Sequence, residues 1–91
     1  MLYTVFVDDN FHYADKDERY KLGEFVSLED AIVSCKQLVD SFLDTNYKPG
    51  MTSEELYRSY TGFGEDPFIV GVASSFSAWE YARGRCDEIC E

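Results

Sequence analysis

Positive charge is scarce in this chain. Eight Lys and Arg stand against eighteen Asp and Glu, leaving a formal net charge of −10 at pH 7. Such a surface repels nucleic-acid phosphates and anionic headgroups, so direct DNA or RNA binding is disfavoured and a basic protein partner is favoured. Solubility alone accounts for the same imbalance. Long apolar runs are absent too: none approaches the ~20 residues of a membrane span. The stretch from Met1 to Val7 is short, lacks a basic region and leads into Asp8 and Asp9. It does not fit a signal peptide. Cysteine is sparse and odd in number: Cys35, Cys86 and Cys90 make no disulfide framework. The expectation is a reducing cytoplasm.

Several chemistries lack their residues. Histidine occurs once, as His12. A Cys-His nucleophile would need a cysteine beside it, yet all three cysteines fall on apolar helical stripes, where they pack as small hydrophobes. A zinc site around Cys86 and Cys90 has only Cys35 and His12 to draw on. Gly62-Phe-Gly64 is followed by acids rather than by Gly-Lys-Ser/Thr, so it is no phosphate loop. Glu54 and Glu55 are neighbours on a helix and do not face each other. No Ser-His-Asp arrangement stands out. The chain reads as non-enzymatic, with no cofactor.

What is present is a core. Apolar residues make up 45% and aromatics 16% of the 91 residues, which fits one folded domain and excludes disorder. Leu2 to Val7 is β-branched and aromatic with apolar side chains on both faces, predicting a central strand. Tyr20 to Phe25 predicts a second strand, joined to the first as a hairpin with a long polar loop. Ser27, with Asp30 three residues on, caps a helix, and Val26 and Ala31 occupy the staple positions. Leu28, Ala31, Ile32, Cys35, Leu38, Val39 and Phe42 form its buried stripe, ending before Tyr47-Lys-Pro-Gly50. Thr52 and Glu55 make a second capping box, stapled by Met51 and Leu56, for a helix from Ser53 to about Tyr60 with Gly62 as its stop. Glu54 and Arg58 form an i,i+4 pair. Phe63 to Pro67 reads as a loop, and Phe68 to Val72 as a buried strand. Ser77 and Glu80, stapled by Phe76 and Tyr81, open a last helix with Trp79, Ala82, Cys86, Ile89 and Cys90 on one face. Gly84 inside it marks either a close helix approach or a weak spot.

The resulting fold class is α+β, a single domain over residues 1–91 with element order β-β-α-α-β-α. It comprises a three-stranded antiparallel sheet of order 2-1-3 and three helices covering one face.

The densest polar cluster is Asp8, Asp9, Asn10, His12, Asp15, Asp17 and Glu18. The calcium-loop pattern fails there, because Tyr13 stands where Gly is needed and Arg19 where Glu is needed. A looser cation site, or a small enzyme built on Asp8, Asp9 and His12, is one alternative. A solvated acidic loop is another. Phe11, Tyr13, Tyr47, Tyr57, Tyr60 and Phe63 lie in or beside loops rather than on core stripes. They either close the ends of the core or form an interface. The leading expectation is a protein-binding or regulatory module. Its partner surface is Asp8, Asp9, Phe11, His12 and Tyr13, with Tyr57, Tyr60 and Phe63 as neighbours. Two further alternatives are an acidic mimic of nucleic acid, which requires carboxylates in one row, and a homodimer whose rings bury each other.

Four segments carry a family likeness: Tyr3 to Tyr13, Glu18 to Phe25, Asn46 to Thr52, and Phe63 to Phe68. Together they resemble a small family of bacterial proteins of similar length, nearly end to end. The resemblance implies a free-standing bacterial protein and brings no activity, ligand or catalytic residue.

Overall fold

The computed structural model describes residues 2–11, 19–71 and 76–90. The elements follow in the order β1 (Tyr3–Asp9), β2 (Tyr20–Phe25), α1 (Leu28–Asn46), α2 (Ser53–Phe63), β3 (Glu65–Val70) and α3 (Ala78–Ile89). The strands form one antiparallel sheet of order β2-β1-β3. The fold is α+β, with the strand order and element order expected from the sequence.

β1 is central, and it carries apolar side chains on both faces. Val5 and Val7 are fully buried on the face that meets α1, where Val5 packs with Ala31 and Cys35. Their cross-strand partners on β3 are Ile69 and Pro67. The alternate residues Phe6 and Phe68 lie directly opposite each other on the other face, rings stacked at 6.1 Å. β2 pairs less regularly: its register shifts between Val5 and Phe6, a bulge that leaves Leu22 outside the pairing.

The three helix starts are set locally. The Ser27, Thr52 and Ser77 side chains accept from the backbone N–H of Asp30, Glu55 and Glu80 respectively. Only Thr52 and Glu55 complete the reciprocal box. Those bonds, the one from the Thr52 backbone first, hold the Glu55 carboxyl below its ordinary range. The Phe76 and Tyr81 rings meet at 6.2 Å, as a staple should. Val26 does not behave so: at 81% exposure it leaves Ala31 to be covered by the sheet.

A second, larger core lies between the helices. Val39 and Leu43 of α1, Leu56 and Tyr60 of α2, and Ala82 and Cys86 of α3 are all fully buried there. Burying each Leu side chain contributes about 1.5–3 kcal/mol. Phe76 packs against both cores and joins them. Beside them the Tyr81 hydroxyl donates to Asp40 at 2.9 Å and Arg85 Nε donates to Asp40 Oδ1 at 3.0 Å, tying α3 to α1. Burial first, then that carboxylate, pushes the Tyr81 phenol up to about 12.

Two boundaries and one buried stripe differ from the sequence expectation. α2 runs on through Gly62 and ends at Phe63, with Gly64 as its cap. β3 begins at Glu65, not Phe68, because Glu65, Asp66 and Pro67 pair with Asp9, Asp8 and Val7. Val72 lies outside the described residues. On α3 the buried stripe is Ala78, Ala82 and Cys86, while Trp79 is 37% exposed. Gly84 meets no atom within 4 Å of a built β-carbon, so it is a weak spot and not a close approach.

Among the described residues no helix is long and apolar enough to cross a membrane.

Candidate functional site

The end of β1, the end of α2 and the start of α3 converge on Asn10. This residue is only 7% exposed, and its backbone N–H and both side-chain polar atoms are bonded. Its backbone N–H donates to the Gly64 carbonyl at 2.9 Å. Its side-chain Nδ2 donates to the Tyr60 carbonyl at 2.9 Å, and its Oδ1 accepts from Trp79 Nε1 at 3.3 Å. The same Tyr60 carbonyl accepts from Gly64 N at 2.8 Å. Gly64 has to be glycine there: a β-carbon would sit 2.6 Å from Tyr60 Cδ1 and 2.8 Å from Tyr60 O.

This knot places two of the expected site residues side by side. Phe11 follows Asn10, and Phe63 precedes Gly64. Their rings stack at 5.4 Å and 17°, yet they are 62% and 66% exposed. Phe11 is held from behind as well, since its N–H donates to Asp9 Oδ1 at 2.9 Å. A shallow groove of about 330 Å³ runs from Phe63 along α2 past Ser59, Arg58 and Glu55 to Met51.

The other expected residues divide. Tyr60 is fully buried and is corrected from partner-binding to core. Spacing accounts for this, since it lies four residues after buried Leu56 and so on the same stripe. Its hydroxyl donates to the Glu65 carbonyl at 2.7 Å, and burial first raises its pKa. Tyr57 is half-buried against the helical core, with the Arg83 guanidinium 5.0 Å from its ring centroid. His12 and Tyr13 lie outside the described residues.

Asp8 is not a free carboxylate. Arg19 Nε and Nη2 reach its two oxygens at 2.6 and 3.0 Å, and the same guanidinium sits 5.0 Å over the Phe68 ring. Directly opposite Asp8 stands Asp66. Burial, and then the charge of Asp8, pushes the Asp66 carboxyl up to about 6. Asp66 edges a groove of about 400 Å³ whose other walls include Phe68, Phe76, Ser77 and Trp79. Sequence reasoning missed this groove and the Asn10 knot. The available signal was the acid pair Glu65-Asp66 and the lone Trp79, but nothing linear joins them.

Cys35 and Cys86 are buried, and burial first pushes both thiols up to about 11, away from nucleophilic use at neutral pH. Among the described residues no three His, Cys, Asp or Glu side chains are gathered as a metal site would need.

No protein-family model matches the chain, and no curated protein or solved structure does either.

Proposed function

We infer that the chain is a non-enzymatic binding or regulatory module that engages a basic protein partner through the Phe11–Phe63 pair. The observation that carries this reading is the pair itself: two stacked rings, 62% and 66% exposed, held in place from behind. Large rings at a surface bury much area on contact, and rings fixed beforehand lose little entropy when they do so. The formal charge of −10 supports the choice of partner. It repels nucleic acid and a second copy of the chain alike, and it steers a positively charged protein toward the surface. The nucleic-acid mimic has less behind it. Several described carboxylates stand apart on separate elements, each paired locally: Asp40 with Arg85, Glu54 with Arg58, Glu24 with Lys21.

The test is affinity capture from native extract with wild-type chain and with Phe11→Ala combined with Phe63→Ala, each at low and high salt. A partner should be retained by wild type at low salt, weaken as salt rises, and be lost from the double variant. Equal recovery by both chains would refute the reading. Light scattering across concentration tells a second copy from a different protein.

A further inference from the structure

The chain already contains one arginine site of its own. Arg19 lies over the Phe68 ring at 5.0 Å while both oxygens of Asp8 take its guanidinium N–H groups. Ring face and carboxylate together suit a guanidinium, which is planar, stacks on aromatic surfaces and grips a carboxylate with two parallel bonds.

A second carboxylate stands one strand away, beside the same Phe68 ring, and among the described residues it has no cation of its own. Asp66 is directly opposite Asp8 and two residues before Phe68. The groove it edges is walled by Phe68, Phe76 and Trp79. Among the described residues no Lys or Arg pairs with Asp66. The groups seen to be coupled to Asp66 among the described residues, Asp8 on β1, Cys35 on α1 and Tyr60 on α2, are acidic or neutral. A half-buried carboxylate in that company is held at a cost that an arriving cation removes. Aromatic walls add attraction of their own for that cation. The volume, about 400 Å³, falls in the range of pockets that take a side chain or small ligand.

We propose that the groove between Asp66 and Trp79 receives an arginine side chain from a partner, its guanidinium on the Asp66 carboxylate and its plane against the aromatic wall. The inference rests on the preceding reading only for the source of that arginine. The site also lies beside the Phe11–Phe63 pair in bonding terms, because Trp79 Nε1 and the backbone behind both rings meet at Asn10.

Trp79 is the only tryptophan in the chain, so its fluorescence and its indole N–H resonance report on this groove and on the Asn10 bond at its edge. The probe is N-acetyl-arginine methylamide, with the citrulline analogue as an uncharged control of the same shape. At pH 7.5 and low salt the arginine probe should shift the Trp79 signals saturably. The citrulline probe should not. Asp66→Asn should weaken the arginine probe by about tenfold or more, as loss of a charge-assisted pair demands, and a melting curve confirms that the variant is folded. No saturable shift, an equal response to citrulline, or unchanged binding by Asp66→Asn would overturn the proposal. No partner is needed for this titration. Its failure therefore leaves the Phe11–Phe63 reading standing, and a failed capture leaves the titration standing.

Discussion

The Asn10 side-chain amide donates to the Tyr60 carbonyl at 2.9 Å across 50 residues of sequence. That bond fastens the end of the central strand to the last turn of α2, and it sets the position of both exposed rings. Asn10→Ala is expected to lower stability by about 1–2 kcal/mol, since Nδ2 and Oδ1 are both satisfied in the folded chain. Asn10→Asp should cost more at pH 7, because a buried carboxylate would then face the Tyr60 carbonyl. Urea denaturation of the two variants checks the order.

Glycine variants should split by position. Gly62 and Gly84 lie inside helices with nothing within 4 Å of an added β-carbon. Alanine at either should raise stability by about 0.5–1 kcal/mol. Gly64→Ala drives a β-carbon into the Tyr60 backbone and ring, and should lower stability by about 1–3 kcal/mol. Thermal melts of the three variants make the comparison.

Asp66 makes a pH-dependent contribution whose sign can be worked out. Its folded pKa, about 6, is raised above the ordinary 3.8, chiefly by burial and then by Asp8. The native chain therefore holds the Asp66 proton more tightly than the unfolded chain. The contribution is favourable below pH 4 and is lost as pH rises toward 6. Above that, ionised Asp66 is a net cost. After discounting for solvent screening this is on the order of 1 kcal/mol. Asp66→Asn should accordingly be more stable than wild type at pH 7, with the gap closing near pH 4. Denaturant midpoints at several pH values would show it. A gap independent of pH would contradict it.

The stacked rings should be separable from folding. Phe11 and Phe63 are 62% and 66% exposed, so removing both should cost about 1 kcal/mol, the worth of one ring contact. Circular dichroism melts of Phe11→Ala with Phe63→Ala test this. A variant that melts near wild type isolates any loss of binding from a loss of structure.

Much of the fold could be read along the chain because its causes are local. Ser27, Thr52 and Ser77 each cap a helix with their own side chain, and Val5 and Phe6, apolar on alternate faces, mark β1 as the central strand. What escaped was set across distance. Glu65, Asp66 and Pro67 look like a turn in isolation and become strand only because Asp9, Asp8 and Val7 are there to pair with them. Gly62 looks like a stop, yet α2 continues until Gly64 meets Tyr60 and Asn10. The pairing of Phe11 with Phe63 was within reach as a guess. The clamp behind it was not, because Asn10 resembles any turn-forming residue until Tyr60 and Trp79, 50 and 69 positions later, come back to it.

The sheet has two outer strands, and each is spoiled as a template. β3 carries Pro67, which has no amide hydrogen to offer, and it runs into Gly71 at φ +102°. β2 carries the bulge and displays Lys21 and Glu24 on its exposed run. A further extended chain laid along either margin would find the ladder broken. Fibre growth and strand-lending between copies are thereby discouraged, and so is main-chain augmentation by any other chain.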